Sequence, residues 1–210
     1  MKLIGSTLSP YALRVMIAAR AKGVDLPIEE PAGGTRTPEF LAMSPIGKVP
    51  VLVDGAMVLP ESNVILAYLE DRFPTPTLFP GDATQRANAR LLVSLIDNYG
   101  APSFGPFFAN DPAAVKVALE RIDSSLGYVD HFRRDGAFAS GDAFSIADCA
   151  LIPFFVAFEM LPPQFGTFEF VKKRPKLAAW WSRARASEHG SYAMKATMEA
   201  AQKFLAQQQR

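Results

Sequence analysis

A chain of 210 residues is long enough to bury two modest apolar cores, and two domains is the starting expectation. With 49% hydrophobic and 20% charged residues, the composition is that of a folded globular protein and excludes intrinsic disorder. The 22 basic residues nearly cancel the 21 acidic ones, so no overall field draws the protein to nucleic acid or to an anionic membrane, and neither is expected as a partner.

The opening MKLIGSTLSP lacks the apolar stretch of a signal peptide, and no apolar run approaches the length of a membrane span, which predicts a cytoplasmic protein. Lys2–Ser6 reads as a first strand. From Pro10 the residues Leu13, Val15, Met16, Ile17 and Ala18 suit a largely buried helix, with Ser9 as N-cap, proline at the first helical position and Gly23 past the end. Leu26–Glu30 reads as a second strand, and Thr37-Pro38-Glu39 opens a short helix carrying Phe40 and Leu41. Val49–Val53 and Met57–Leu59 flank Asp54-Gly55, a dipeptide suited to the positive φ angles of a tight hairpin turn. Ser62 then caps a helix to about Arg72, completing the order β-α-β-α-β-β-α.

Pro74, Pro76, Pro80 and Gly81 interrupt regular structure over Phe73–Asp82, as in a linker, and the rest of the chain reads as helical. Asp82 with Gln85 caps a helix through Ile96, and Asp111-Pro112 opens another through about Phe132. Ser145 with Asp148 is a stronger capping box, with Phe144 placed to staple against Cys149; Leu177–Ala186 and Tyr192–Gln207 complete the helices. One cysteine excludes an internal disulfide, and with only two histidines the chain has no closely spaced zinc ligands, so no metal is expected.

This element order resembles that of the soluble glutathione S-transferases, which join a thioredoxin-like domain to an all-helical one. The resemblance spans essentially the whole chain and rests on Ser9-Pro10-Tyr11-Ala12-Leu13-Arg14-Val15, on Ser44-Pro45-Ile46-Gly47-Lys48-Val49-Pro50-Val51-Leu52, on Glu61-Ser62 and on Ser145-Ile146-Ala147-Asp148. Its first segment is most similar to the serine-using classes, in particular a tau/zeta-like bacterial member. The resemblance implies residues 1–75 as a thioredoxin-like, glutathione-binding domain, 76–84 as linker and 85–210 as an all-helical domain lining the acceptor site. It also implies a two-fold homodimer.

The chemistry so implied is conjugation of the glutathione thiolate to a small apolar electrophile, with glutathione as co-substrate. A free thiol near pKa 8.5 is only about 3% ionised at pH 7. Lowering that pKa by two units takes about 2.7 kcal/mol, which one hydroxyl hydrogen bond to the anion and a helix N-terminus together supply. Ser9 stands where the two coincide and is the expected catalytic residue; Tyr11 is a distant second hydroxyl and otherwise an acceptor contact.

By resemblance the Val49-Pro50 bond is cis, freeing the Val49 backbone to pair with the cysteinyl part of the tripeptide. Glu61 and Ser62 would take the γ-glutamyl end at a helix N-terminus, and Arg36 and Lys48 the glycyl carboxylate. Asn98, Tyr99, Phe104, Phe107 and Phe108 form an aromatic-rich stretch expected to line the acceptor cleft, with Phe155 and Phe158 as alternatives. Ser145 and Asp148 are assigned to folding alone. Competing readings keep the fold but change the outcome, to a glutathione-dependent isomerase, dehalogenase or peroxidase, or to a non-catalytic binding or regulatory protein. The chain lacks the Ser-Ser-Cys turn of maleylacetoacetate isomerases, and serine at position 9 argues against the thiol-exchanging omega- and beta-like classes.

Overall fold

The computed structural model describes residues 1–108 and 111–208. Two compact units emerge: Met1–Leu78 together with the chain from Glu188 onward, and Phe79–Ser187.

The first unit is built on a four-stranded sheet of β1 (Lys2–Ile4), β2 (Ile28–Glu29), β3 (Val51–Asp54) and β4 (Met57–Pro60), in the order β2-β1-β3-β4. β1 runs parallel to β2 and antiparallel to β3, and β3 pairs antiparallel with β4 through the expected hairpin, Gly55 taking φ +58° at its turn. β1, β2 and β3 are shorter than the runs read from sequence, because neighbouring residues take other bonds, whereas β4 extends one residue further, to Pro60. After Ile4 the chain turns, with the Ser9 N–H donating to Ser6 O at 2.9 Å. Pro50 has no N–H for the ladder, so β3 starts one residue later.

Helices α1 (Pro10–Ala21), α2 (Pro38–Met43) and α3 (Ser62–Arg72) complete the thioredoxin-like order, and α1 packs on α3. Every residue of α1 from Ala12 to Ala19 is buried, so the helix has no solvated stripe, as an apolar run broken only by Arg14 requires. The last helix, α9 (Glu188–Gln208), also belongs to this unit and packs on α1. That departs from the expectation of one continuous helical domain through residue 210. The reason lies in side chains: the Arg20 guanidinium covers the Tyr192 ring at 4.3 Å, Lys203 pairs with Glu30 at 3.1 Å, and Thr7 bonds to α9 backbone.

A buried cation locks the end of the unit. The side chain of Lys22, directly after α1, is wholly buried, and its ammonium donates to Phe73 O (2.7 Å), Pro76 O (2.9 Å) and the Glu70 carboxylate (2.6 Å). All three protons are thereby used, as a buried charge demands. Burial alone would raise the Glu70 carboxyl, but the Leu78 N–H, Lys22 and the Thr77 hydroxyl outweigh it and hold the group below its ordinary value of 4.5. A depressed carboxylate adds stability above its unfolded value that is lost as pH falls through the folded one. Glu70→Gln should therefore cost about 2 kcal/mol at pH 7. In urea titrations its deficit should shrink as pH drops below 4.5; a deficit that stayed constant with pH would refute the assignment.

The second unit contains α4 (Ala83–Leu95), α5 (Pro112–Phe132), α6 (Ile146–Met160), α7 (Thr167–Lys172) and α8 (Pro175–Ala186). The α4 capping box forms as expected, Gln85 N–H donating to Asp82 at 2.9 Å and Asp82 N–H to Gln85 at 2.8 Å; Asp111 caps α5 through the N–H groups of Ala113 and Ala114. α6 forms the core of this unit, with twelve of its fifteen residues buried. Between α4 and α5 the chain makes a π-helical turn over Ile96–Gly100 and a 3-10 segment over Ala101–Phe108, where Pro102, Gly105 and Pro106 interrupt the α period. α7, which starts after the left-handed Gly166, carries no side-chain cap and has no counterpart among the helices expected from sequence.

Candidate functional site

Three chain segments leave the sheet at one end. Ile4 pairs with Val51 and Val51 with Pro60, so the turn after β1, the residues before β3 and those after β4 stand in a row, roughly 4.8 Å from strand to strand. Gly5 allows the close approach of the first two: a Cβ there would lie 3.1 Å from that of Ala12 and 3.7 Å from that of Val49. The site residues expected from sequence, Ser9, Val49, Pro50, Glu61 and Ser62, all sit on these segments.

Ser9 is the N-cap of α1, with its hydroxyl oxygen 3.4 Å from the Ala12 N–H that it accepts. Accepting there leaves its own proton to donate, at the positive end of a twelve-residue helix. One atom thus presents a hydrogen-bond donor where the helix already favours an anion. Val49-Pro50 is cis, and among the described residues no group pairs with the Val49 N–H or C=O.

At the third segment the structure corrects one detail. Ser62 is the first helical residue of α3, not its cap; the cap is Glu61, which makes no side-chain capping bond and holds φ +72°. Left-handed backbone at a residue other than glycine costs on the order of 1–3 kcal/mol and concentrates at functional sites. Here it leaves the first-turn N–H groups of α3 uncapped beside a buried Ser62 hydroxyl, an arrangement suited to a carboxylate.

Arg36 and Lys48 are both exposed. Gly47, at φ +66°, brings the Arg36 guanidinium against the loop that leads to Val49: a Cβ on Gly47 would lie 3.0 Å from the nearer Arg36 nitrogen. Arg14, which the sequence offers only as part of a motif, is 1% exposed. It donates to Asn63 Oδ1 at 3.0 Å and lies 5.0 Å from the Tyr11 ring centre. The arginine thus links α1 to the first turn of α3, and the Tyr11 ring packs on it.

The expected acceptor residues divide between two environments. Asn98 and Tyr99 line a cleft of about 500 Å³ with α5 residues Val117, Glu120, Arg121, Ser124 and Tyr128. Tyr99 meets Tyr128 edge-on at 5.5 Å. Phe104 instead packs on Phe154 and Phe158 at 5.2 and 5.5 Å, and Phe107 on Phe165 at 5.1 Å. Phe155 and Phe158 are core residues, buried with the rest of that aromatic cluster. The Phe108 side chain lies outside the described residues.

A thioredoxin-like sheet with helices, followed by a helical unit, defines the class of fold. The family profile described as "Glutathione S-transferase, N-terminal domain" matches residues 3–77, and that of the "Glutathione S-transferase, C-terminal domain" matches residues 93–181. This chain belongs to the glutathione S-transferase family and is an enzyme of that family. It is 31% identical to Glutathione S-transferase 3 of Zea mays over 86% of this chain and 87% of that one. The tau-class glutathione S-transferase of mango, Mangifera indica, superposes with a TM-score of 0.80 at 27% identity, over 98% of this chain and 97% of the other. A bacterial zeta-class protein, maleyl pyruvate isomerase, gives 0.80 at 25% identity, over 94% and 98%.

Proposed function

We propose that this protein is a serine-using, tau/zeta-like glutathione transferase, of bacterial type, that joins the glutathione thiolate to a small apolar electrophile. The observation that carries the proposal is the Ser9 hydroxyl, its proton unspent, at the head of α1 on the same sheet end as cis Val49-Pro50 and the uncapped start of α3. In this reading Ser9 donates to the thiolate, Val49 pairs with the cysteinyl backbone, Glu61 and Ser62 take the γ-glutamyl ammonium and carboxylate, and Arg36, with Lys48, faces the glycyl carboxylate. Asn98 and Tyr99 contact the acceptor, with Tyr11, Phe104, Phe107 and Phe108 as further contacts. Residues 1–75, with α9 packed on α1, bind the tripeptide, and the remainder of residues 85–210, after a linker at 76–84, supplies the acceptor side. The protein works as a cytoplasmic homodimer without a metal; among the described residues no helix is long and apolar enough to cross a membrane.

A glutathione-dependent isomerase is the second reading, favoured by the likeness to maleyl pyruvate isomerase. Measuring glutathione affinity by calorimetry, and conjugation to a general aromatic halide, tests the first. Binding with conjugation is expected; binding without conjugation of any electrophile, alongside isomerisation of a maleyl substrate, would favour the second, and failure to bind glutathione would sink both.

A further inference from the structure

The Ser9 turn is secured from outside its own neighbourhood. Gly5 N–H donates to Glu29 O at 2.8 Å, Ser9 N–H to Ser6 O at 2.9 Å, and Leu13 N–H to Ser9 O at 2.9 Å, so both ends of the turn are held by β2 and α1. Its middle is not. Leu8 is exposed, and its N–H reaches only the Ser6 hydroxyl at 3.4 Å. Thr7 is the exception: its hydroxyl donates to Ala196 O in α9 at 2.9 Å, across 189 residues of chain. The Thr197 hydroxyl, directed mainly to Ala193 O at 2.8 Å, also lies 3.4 Å from Thr7 O. Both Thr197 and Ala193 are buried, so this contact is dry on the α9 side.

We infer that Thr7 is a positioning residue for the reaction, and that α9, through the Thr7 hydroxyl, fixes the turn that aims the Ser9 hydroxyl. This rests on the reading of Ser9 as thiolate donor. Ala196 O is the C=O of a helix interior, and a side-chain bond to it anchors Thr7 to an element that is itself packed along α1. With two rotatable backbone angles per residue between Thr7 and Ser9, loss of that anchor leaves the middle of the loop with only the longer 3.4 Å contact from Thr197. A hydrogen bond to sulfur weakens steeply as its angle opens, so a small rotation of the turn costs thiolate stabilisation without removing any group that touches glutathione.

A purely structural role for Thr7 predicts something different, namely a loss of stability that any loosening of α9 would reproduce. Arg20→Leu supplies that comparison, since the Arg20–Tyr192 contact ties α9 to the opposite end of α1. Thr7→Val keeps the shape and removes the donor, and Thr7→Ser restores the donor. The apparent pKa of bound glutathione is read from thiolate ultraviolet absorbance, with glutathione KM, kcat and thermal midpoint measured alongside, on the full chain.

Thr7→Val should raise the thiol pKa enough to cut the thiolate fraction at pH 7 by about threefold. It should lower kcat in step and leave glutathione KM within about twofold. Thr7→Ser should recover the wild-type pKa, and Arg20→Leu should lower the midpoint without moving the pKa. An unmoved pKa in Thr7→Val, or an equal shift in Arg20→Leu, overturns the inference while leaving Ser9 untouched. A Ser9→Ala protein with an unshifted pKa would instead overturn the reading on which it rests. Should Thr7→Val fail to fold, Thr7→Cys, which keeps size but donates weakly, is measured in its place with the same two outcomes.

Discussion

Ser9→Ala should lower kcat/KM for conjugation by about 10- to 150-fold, the rate equivalent of a hydrogen bond to a charged acceptor worth about 1.5–3 kcal/mol. It should also raise the apparent pKa of the bound thiol by about one to two units, so that the lost rate returns as pH rises and the thiolate forms without help. Glutathione affinity should change little, because in the proposed reading the tripeptide's other anchors are Val49 and the Glu61-Ser62 start of α3. Ser9 has a second task that complicates the comparison: as N-cap it accepts the Ala12 N–H, and alanine at such a position costs about 1 kcal/mol of stability.

Ser9→Gly separates the two tasks, because glycine caps a helix nearly as well as serine but has no hydroxyl. Both variants should lose the same activity, and only Ser9→Ala should lose appreciable stability. A glycine variant that kept wild-type kcat/KM would show that helix capping, not hydrogen bonding to sulfur, accounts for the serine. In the proposed reading the hydroxyl neither attacks nor abstracts a proton, and the N-terminus of α1 remains to favour the anion in both variants.

Features set by nearby residues were legible in the sequence. The Asp54-Gly55 turn, the Asp82/Gln85 and Ser145/Asp148 boxes, and the Ser9 cap each depend on groups no more than three residues apart, and each formed. The cis bond at Pro50 followed from resemblance alone, since trans is the commoner state of an X–Pro bond. Features made by distant residues were not legible. Lys22 and Arg14 carry no local signal of burial, yet both are buried, because their acceptors come from chain some 50 residues away. The placement of α9 in the first unit depends on Thr7, Arg20 and Glu30, none of which carries a local signal of it.

The aromatic stretch after α4 shows the same limit in another form. Its composition suggested one apolar lining, but the π-helical turn at Ile96–Gly100 adds an extra residue per turn and rotates the segment beyond it. Tyr99 is left 53% exposed beside α5, while Phe104 turns into the Phe154–Phe158 cluster. Periodicity read at 3.6 residues has no means of locating such a break.

Asp148→Ala should be the most destabilising substitution considered, at about 3–5 kcal/mol, a large share of the 5–15 kcal/mol that holds a typical domain together. The carboxylate is 1% exposed and accepts four donors: Ala139 N–H at 2.8 Å, Trp180 Nε1–H at 3.0 Å, Ser145 N–H at 3.1 Å and the Ser145 hydroxyl at 3.2 Å. It therefore does more than close the capping box of α6; it also joins the preceding loop and the buried Trp180 of α8 to that helix. Alanine would strand the Trp180 and Ala139 donors in a core with no water to replace the carboxylate. Asp148→Asn keeps an acceptor oxygen but turns an amide N–H toward a donor, and should cost less than alanine yet more than a surface change.

The pH dependence provides an independent check. Burial pushes the Asp148 carboxyl above its ordinary 3.8, and the four donors pull it back only in part. A raised folded value means that this group's contribution is greatest below 3.8 and declines as pH rises through the folded value, opposite in sign to that of Glu70. Acid unfolding of the wild type should therefore follow Glu70 and Asp123, whose carboxyl lies below its ordinary value because Lys173 and Arg174 outweigh the burial that would raise it. Asparagine does not titrate, and Glu70 and Asp123 are common to both proteins, so the stability gap between wild type and Asp148→Asn isolates the one carboxyl. In urea titrations at a series of pH values from 4 upward, that gap should narrow as pH rises; a gap that widened would show the carboxyl to be depressed by its donors rather than raised by burial. A loss below about 1 kcal/mol for Asp148→Ala at pH 7 would remove Asp148 from its central place in the second unit.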